Sequence, residues 1–394
     1  MSKLEELIKE YCPDGVEYKP LGEIATILRG GNFQKKHFVA EGVPCIHYGQ
    51  IYTYYGLFTD TTVSFLDSDV AVTQKYAEPG DIIMAVTSEN IDDVCGCVGW
   101  LGSEKIAISG HTAIIHHSLD TKYLTYWFNS TMFDKQKRKM AQGTKVIEVA
   151  PKKLEKMSVP VPPLEVQHEI VRILDNFTEL TAELIIKLSA ELTARKKQYE
   201  YYKNELFDLG EDVVWKTLGE IAKNCDAMRK PVTKGQRTSG NIPYYGASGI
   251  VDYVDDYIFD GDYLLVSEDG ANLLARVTPI AFSITGKNWV NNHAHVLDFD
   301  DKYVQRYAEL YLNNVDLKSY ISGAAQPKLN QKKLNIIPIP LPEKNDIHRI
   351  VDTLDRFDEL CNDITNGLPA EIEARQKQYE YYRDKLLTFK EKKQ

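Results

Sequence analysis

The sequence predicts an α/β protein built from two similar mixed α/β domains, each trailed by a long helix of coiled-coil character. Three observations predict it. An eight-residue word recurs late in the chain, apolar residues recur at helical spacing through both segments that contain it, and short strand patterns bounded by turn residues fill the stretches in between.

The duplication is read directly. Arg195-Lys196-Lys197-Gln198-Tyr199-Glu200-Tyr201-Tyr202 returns 180 residues later as Arg375-Gln376-Lys377-Gln378-Tyr379-Glu380-Tyr381-Tyr382, with seven of eight residues identical. The same shift carries Ile170, Leu174 and Asp175 onto Ile350, Leu354 and Asp355, and Gly143 onto Gly323. Near the start of each half the shift drifts, since Leu21-Gly22-Glu23-Ile24-Ala25 returns as Leu218-Gly219-Glu220-Ile221-Ala222, 197 residues on. Each half therefore has a constant tail and a variable body. Similar folds with divergent surfaces imply similar jobs on different targets.

Within the bodies, Ile82-Ile83-Met84-Ala85-Val86 and Tyr263-Leu264-Leu265-Val266 follow Gly-Asp turns and read as buried strands. Tyr123 to Phe128 and Tyr303 to Leu312 read as short helices, and a short helix opens the chain. Pro160, Pro162 and Pro163, and later Pro338, Pro340 and Pro342, hold the chain extended before each tail. In the tails, Leu174, Phe177, Leu184 and Tyr199 answer Leu354, Phe357, Ile364 and Tyr379 on one helical stripe, long enough to predict coiled-coil packing. Gly367 and Pro369 predict a break in the second tail, while the first, with Lys187 and Ser189, runs straighter. The expected divisions are 1–163 (first body, with the short N-terminal helix), 164–209 (first helix), 210–342 (second body) and 343–394 (second helix).

Composition narrows the function class. Hydrophobic residues at 43% and charged residues at 26% are ordinary for a globular chain. No apolar run approaches the ~18–20 residues of a membrane span, and the first residues lack a secretory design. Six cysteines without paired spacing point to a reduced, cytoplasmic compartment. A net charge of −10 argues against a sequence-blind nucleic-acid binder, because phosphate contact needs Lys and Arg, but leaves room for local basic faces.

Signs of catalysis are missing. There is no Gly-x-x-x-x-Gly-Lys-Ser/Thr phosphate loop and no Asn-Pro-Pro-Tyr-like run, and Gly30-Gly31 and Gly96 to Gly102 lack a cofactor-site setting. His293 with His295, or Cys95 with Cys97, could ligate a metal, but neither pair has a second pair at zinc-site spacing, so no metal is expected. Glu89, Asp92 and Asp93 read as a solvated acidic loop rather than nuclease carboxylates. Basic, polar and aromatic stretches are more informative. In the first body they are Arg29, Lys35 and Lys36, then Gln50, Tyr52 and Tyr54, then His111, then Lys137, Arg138, Thr144 and Lys145. In the second they are Arg229, Lys230, Lys234 and Arg237, then Tyr244, Tyr245 and Ser248, then Lys287, Asn291, Asn292 and His293, then Gln326 and Lys328. Lys and Arg bind phosphate, while Arg, Asn and Gln read base edges by paired hydrogen bonds. Recurrence in matching places supports a DNA-binding set; for any single member a solvated surface is the simpler reading.

The order of body, Pro-rich exit and long helix, twice over, resembles the specificity subunits of Type I restriction-modification systems. Lys19-Pro20-Leu21-Gly22-Glu23-Ile24, Val159-Pro160-Val161-Pro162-Pro163-Leu164-Glu165 and the repeated Gln-Tyr-Glu-Tyr-Tyr word carry the resemblance over essentially the whole chain. It implies two target recognition domains, each reading half of a bipartite DNA site, held apart by two antiparallel helices that set the gap and dock two methyltransferase subunits. Those subunits would use S-adenosylmethionine, and two restriction subunits would cleave with ATP and Mg2+; this chain would carry no cofactor. One departure is the second exit, Pro340-Leu341-Pro342-Glu343-Lys344-Asn345, which implies unequal partner contacts. The rival readings are a self-contained DNA methyltransferase or nuclease, and a protein-only coiled-coil scaffold.

Overall fold

The computed structural model describes residues 2–210, 213–323, 326–363 and 365–392. They divide into two compact units, Met1–Lys187 with Ile372–Gln394, and Leu188–Glu371. The units thus do not follow the order of the repeats, because the end of the chain belongs with its beginning.

In the first unit, after helix α1 (Lys3–Tyr11), the central sheet is formed by β1 (Ala25–Arg29), β2 (Ile82–Ala85), β3 (Cys97–Trp100) and β4 (Thr112–His117). Their order is β1-β4-β2-β3, with Phe58–Thr59 at the far edge. Successive side chains of a strand point to opposite faces. Accordingly, Ile82, Met84, Ala113 and Ile115 join one buried cluster with Tyr123, Tyr126 and Trp127 of α2 (Thr121–Phe128), and Ile83, Ala85 and Ile114 join another with Ile46, Ile106 and Ile108. Burial on both faces explains the unbroken apolar run. Helix α2 starts where the Asp120 carboxylate accepts the Tyr123 amide at 2.9 Å.

The second unit repeats this plan. Its sheet contains β5 (Lys223–Asn224), β6 (Tyr263–Ser267), β7 (Ala281–Ile284) and β8 (Ala294–Asp298), in the equivalent order β5-β8-β6-β7. Helix α4 (Lys302–Asn314) covers it, capped by Asp301 as α2 is by Asp120. The first tail is the long helix α3 (Leu164–Leu206). A second, smaller sheet also recurs. Val43–Ile46 runs parallel to Ile106–Ile108, which pairs antiparallel with Lys75–Ala77. Likewise Ser239–Gly246 runs parallel to Lys287–Val290, which pairs antiparallel with Phe259–Asp260.

Each body closes on itself by pairing its first and last strands. Tyr18 faces Pro160 in one, and Trp215 faces Pro340 in the other. Pro160, Pro338 and Pro340 sit in these two-stranded ribbons, where a missing N–H is tolerated, and Pro162, Pro163 and Pro342 follow them. Tyrosines reach from the domain helices to the same ribbons, Tyr123 Oη to the Pro160 carbonyl at 3.1 Å and Tyr307 Oη to the Pro340 carbonyl at 2.8 Å.

The tails pair as the stripe predicts. In the first unit Leu174 is buried, Phe177 meets Tyr382 with ring centroids 5.6 Å apart, and the Thr178 and Tyr379 hydroxyls lie 3.0 Å apart. Leu184 stays 38% exposed, so the seam there is incompletely closed. In the second unit Leu354 is buried and Phe357 lies between Tyr199 and Tyr202 at 6.2 and 5.6 Å. Ile364 lies outside the described residues. The expected break is present. Helix α5 (Lys344–Asn362) ends and α6 (Leu368–Leu386) begins, with Gly367 between them, where a Cβ would come within 2.6 Å of the Glu359 and Asp363 carbonyls. Helix α3 runs unbroken for 43 residues.

Both cores are completed by a tail from the other repeat. Leu386, fully buried Leu387 and Phe389 pack into the first domain's cluster, and the Tyr18 hydroxyl donates to the Phe389 carbonyl at 3.3 Å. At the equivalent places Leu206, Phe207 and Leu209 pack into the second, with Phe207 5.4 Å from the rings of Tyr307 and Tyr311. Truncating Leu387→Ala is expected to cost about 2–5 kcal/mol, read by urea denaturation. Amide exchange should quicken within residues 1–187 and stay unchanged within 190–360.

Candidate nucleic-acid interface

The same edge of the central sheet carries the candidate loops in both units. In the first, β1 ends at Arg29 opposite Ala113, and Thr112 at the start of β4 lies opposite Ala85 at the end of β2. In the second, Ala294 at the start of β8 lies opposite Ser267 at the end of β6. A histidine immediately precedes the fourth strand in each, His111 before Thr112 and His293 before Ala294. His111 is exposed and held left-handed, at φ 64°, a conformation uncommon for a residue with a Cβ. Its ring lies 5.2 Å from Tyr48.

The loop after β1 is firmly seated. Buried Phe33 anchors it, the Gly31 amide donates to the Ile108 carbonyl at 2.7 Å, and the Asn32 amide donates to Gln74 at 2.9 Å. Lys35 and Lys36 project from it, exposed and without an ion pair among the described residues. A second loop turns at Gly143, and its counterpart turns at Gly323, 180 residues on. Both glycines have positive φ, 107° and 83°, and a Cβ at either would strike the carbonyl three residues later, that of Val146 or Gln326. Only glycine fits, which is why this position recurs. The first of these loops exposes Thr144 and Lys145, the second Gln326 and Lys328.

Other members of the candidate set are committed inside the protein. Gln50 is buried, accepting from the His47 amide at 2.8 Å and donating to Ser64 at 2.6 Å. Tyr52 is partly exposed and its hydroxyl reaches the Thr87 carbonyl at 3.5 Å, whereas Tyr54 is largely exposed. Lys137 is buried between Asp134 and the Asp92 carbonyl, both at 2.9 Å; Arg138 binds Asp92 and Asp134; Arg29 binds Glu148 at 2.9 Å. The acidic loop of Asp92 is therefore tied down by cations. Tyr244 is buried under the Arg237 guanidinium, 4.2 Å away, which also binds Asp252 at 2.9 Å. Tyr245 is half-buried beside Phe282. Asn291 is buried and its carbonyl oxygen accepts from the His293 amide at 2.8 Å. Lys230, Lys234, Ser248 and Asn292 are exposed. Lys287 stands apart, at the other end of its strand from Asn291 and 4.5 Å over the Tyr257 ring.

Beneath the second edge lies a charge network that the sequence did not reveal. Buried His295 places Nδ1 2.6 Å from Asp226 and Nε2 2.7 Å from the Leu329 carbonyl. Arg229 binds Glu268 at 2.6 Å, Asp226 at 3.3 Å and the Ala294 carbonyl at 2.8 Å, and Lys328 binds Glu268 at 3.1 Å. Burial raises both carboxyls, but hydrogen bonds outweigh it and hold them below their ordinary range, from His295 for Asp226 and from Arg229 and Lys328 for Glu268. Asp226, Glu268 and His295 are the grouping with metal-ligand geometry among the described residues. Both carboxylates already have cationic partners and both His295 nitrogens face oxygens, so the network is satisfied without an ion. Burial pushes the Cys95 and Cys97 thiols up to about 12, which keeps them protonated. The residues that sequence reading missed, Asp226, Glu268 and Asp269, are acidic, and nothing in their spacing marks them as partners of distant cations.

This arrangement defines a duplicated binding protein that presents rigid polar loops from matched sheet edges. The chain belongs to the family of the type I restriction modification DNA specificity domain, which matches it twice, over residues 13–194 and 210–374. It is 35% identical over 294 residues to the Escherichia coli EcoR124I/EcoR124II specificity subunit, covering 68% of this chain and 70% of that one. It is 29% identical over 381 residues to the Escherichia coli EcoprrI specificity subunit, covering 93% of each. A third specificity-subunit relative, from Haemophilus influenzae, is 42% identical over 186 residues, and there the match spans about half of each chain, 46% and 48%. The fold is like that of the HsdS subunit from Thermoanaerobacter tengcongensis, with a TM-score of 0.58 at 16% identity over 95% of this chain and 97% of that one. It is also like a chain from a type I R-M system, with a TM-score of 0.65 at 16% identity over the same shares. Among the described residues no helix is long and apolar enough to cross a membrane.

Replacing His295→Ala is expected to destabilise the second unit by about 3 kcal/mol, because it strips a buried carboxylate of its best partner. Chemical denaturation of the single variant and of the Asp226→Asn/His295→Ala pair measures it; the pair should recover part of the loss.

Proposed function

We propose that this chain is the non-catalytic, DNA-reading specificity subunit of a Type I restriction-modification complex. Each domain reads one half of a bipartite site on double-stranded DNA, and the helical tails set the spacing and dock two methyltransferase subunits, with restriction subunits joining the assembly. The observation that carries this is the matched sheet edge. One topology, used twice, exposes Lys35, Lys36, His111, Thr144 and Lys145 in one domain and Lys230, Lys234, Asn292, His293 and Gln326 in the other. Flanking lysines grip phosphate while the histidine and amide groups face base edges. S-adenosylmethionine, ATP and Mg2+ belong to the partner subunits, and the target adenine is flipped into a methyltransferase subunit rather than into this chain.

A net charge of −10 opposes phosphate binding by the isolated chain, so tight binding arises when partners close round the duplex. Binding of a cognate duplex should therefore strengthen on adding methyltransferase subunits; equal affinity without them overturns that dependence. Purified chain alone should transfer no labelled methyl group from S-adenosylmethionine, and transfer would favour the self-contained enzyme. Lys35→Ala with Lys36→Ala should weaken the reconstituted complex on every duplex alike and lower the salt slope by about 2.

A further inference from the structure

At the second edge a cleft of about 400 Å³ opens between Asp269, Gly270 and Ala271 on one side and His293, Gln326, Pro327 and Lys328 on the other. Its walls are backbone held in place. The Gly270 amide donates to the Pro327 carbonyl at 3.1 Å, Ser322 and Lys328 exchange amide hydrogen bonds at 2.9 and 2.8 Å, and the Leu329 amide donates to the Glu268 carbonyl at 2.8 Å. Most polar groups around it are spoken for. Lys328 is bound to Glu268, and both Asp269 carboxylate oxygens lie within 3.0 Å of His293 Nδ1. Two groups are not. His293 Nε2 and the Gln326 side-chain amide have no hydrogen-bond partner among the described residues, and both residues are exposed.

We infer that this cleft is where the second domain reads a base edge, with Gln326 as the specificity-determining residue and His293, oriented by Asp269, as its companion. The chemistry selects the ligand. A glutamine amide offers one donor and one acceptor side by side, the pair that matches N7 and N6 of adenine in the major groove. Asp269 takes Nδ1–H and fixes the imidazole, leaving Nε2 as a single directed contact to the neighbouring base or sugar. A rigid cleft that leaves two polar groups unpaired on a fully bonded frame is pre-organised for a polar planar partner. The first domain differs at this point. Its equivalent loop keeps the same frame, with Gln142 and Glu148 exchanging amide hydrogen bonds as Ser322 and Lys328 do, but it exposes Val146 where the second domain has Gln326. The two edges therefore read different bases.

This inference rests on the DNA-reading role proposed above, and one experiment separates their failures. Methyltransferase subunits are reconstituted with the full-length chain, and methylated adenines are mapped on genomic DNA for the wild type, Gln326→Ala, Gln326→Glu and His293→Gln. A wild-type complex that yields no two-part motif sinks the parent role. Given such a motif, Gln326→Ala should relax one position of one half-site, with a loss of roughly 5- to 150-fold in discrimination there, and leave the other half-site intact. Gln326→Glu, which keeps only acceptors, should shift that position away from adenine. His293→Gln should weaken selection at the same or an adjacent position. Motifs unchanged at every position, or activity lost evenly with no positional change, overturn the inference. Gln326 makes no internal side-chain bond, so thermal melting of its variants should match the wild type.

Discussion

The structure depends on an exchange of tails. Neither repeat supplies all the apolar surface that its own body needs. Leu387 and its neighbours close the first core from the end of the chain, and Phe207 closes the second from the middle. Apolar burial is worth about 25 cal/mol per Å², so this docking holds each tail to a body that is not its own in sequence. The compact units consequently cut across the repeat boundaries.

The loops are stiffened by charge pairs as well as by buried anchors such as Phe33. An acidic protein that presents basic loops must stop its own carboxylates from capturing the cations meant for a ligand. Here the capture is selective. Arg29, Lys137, Arg138, Arg229, Arg237 and Lys328 are paired internally, whereas Lys35, Lys36, Lys145, Lys230 and Lys234 form no ion pair among the described residues. The paired residues shape the loops, and the unpaired ones stay exposed to solvent. Buried pairs such as Arg229 with Glu268 add little net stability, yet each is costly to break, which favours one loop geometry.

The two domains share a frame and differ in furnishing. Strand order, the closing ribbon, the turn glycine and the histidine before the fourth strand recur. The first edge carries a strained His111 beside Tyr48, the second a His293 held by Asp269 above a buried ion network. One scaffold thus carries two chemistries at matched edges.

The duplication, the two α/β bodies, the strands at Ile82 and Tyr263, the domain helices, the break near Gly367 and the family itself were legible in the sequence. Each rests on local periodicity, turn chemistry or a repeated word, which are properties of neighbouring residues. Tertiary structure alone decided which candidate side chains face solvent. Arg229, Lys137 and Gln50 look like surface residues one at a time, and they are spent because Glu268, Asp92 and Ser64 come to them across 39, 45 and 14 positions. Ion pairs and hydrogen bonds act over a few ångströms in space and leave no period in the chain. The cleft beside Gln326 and the exchange of tails were hidden for the same reason.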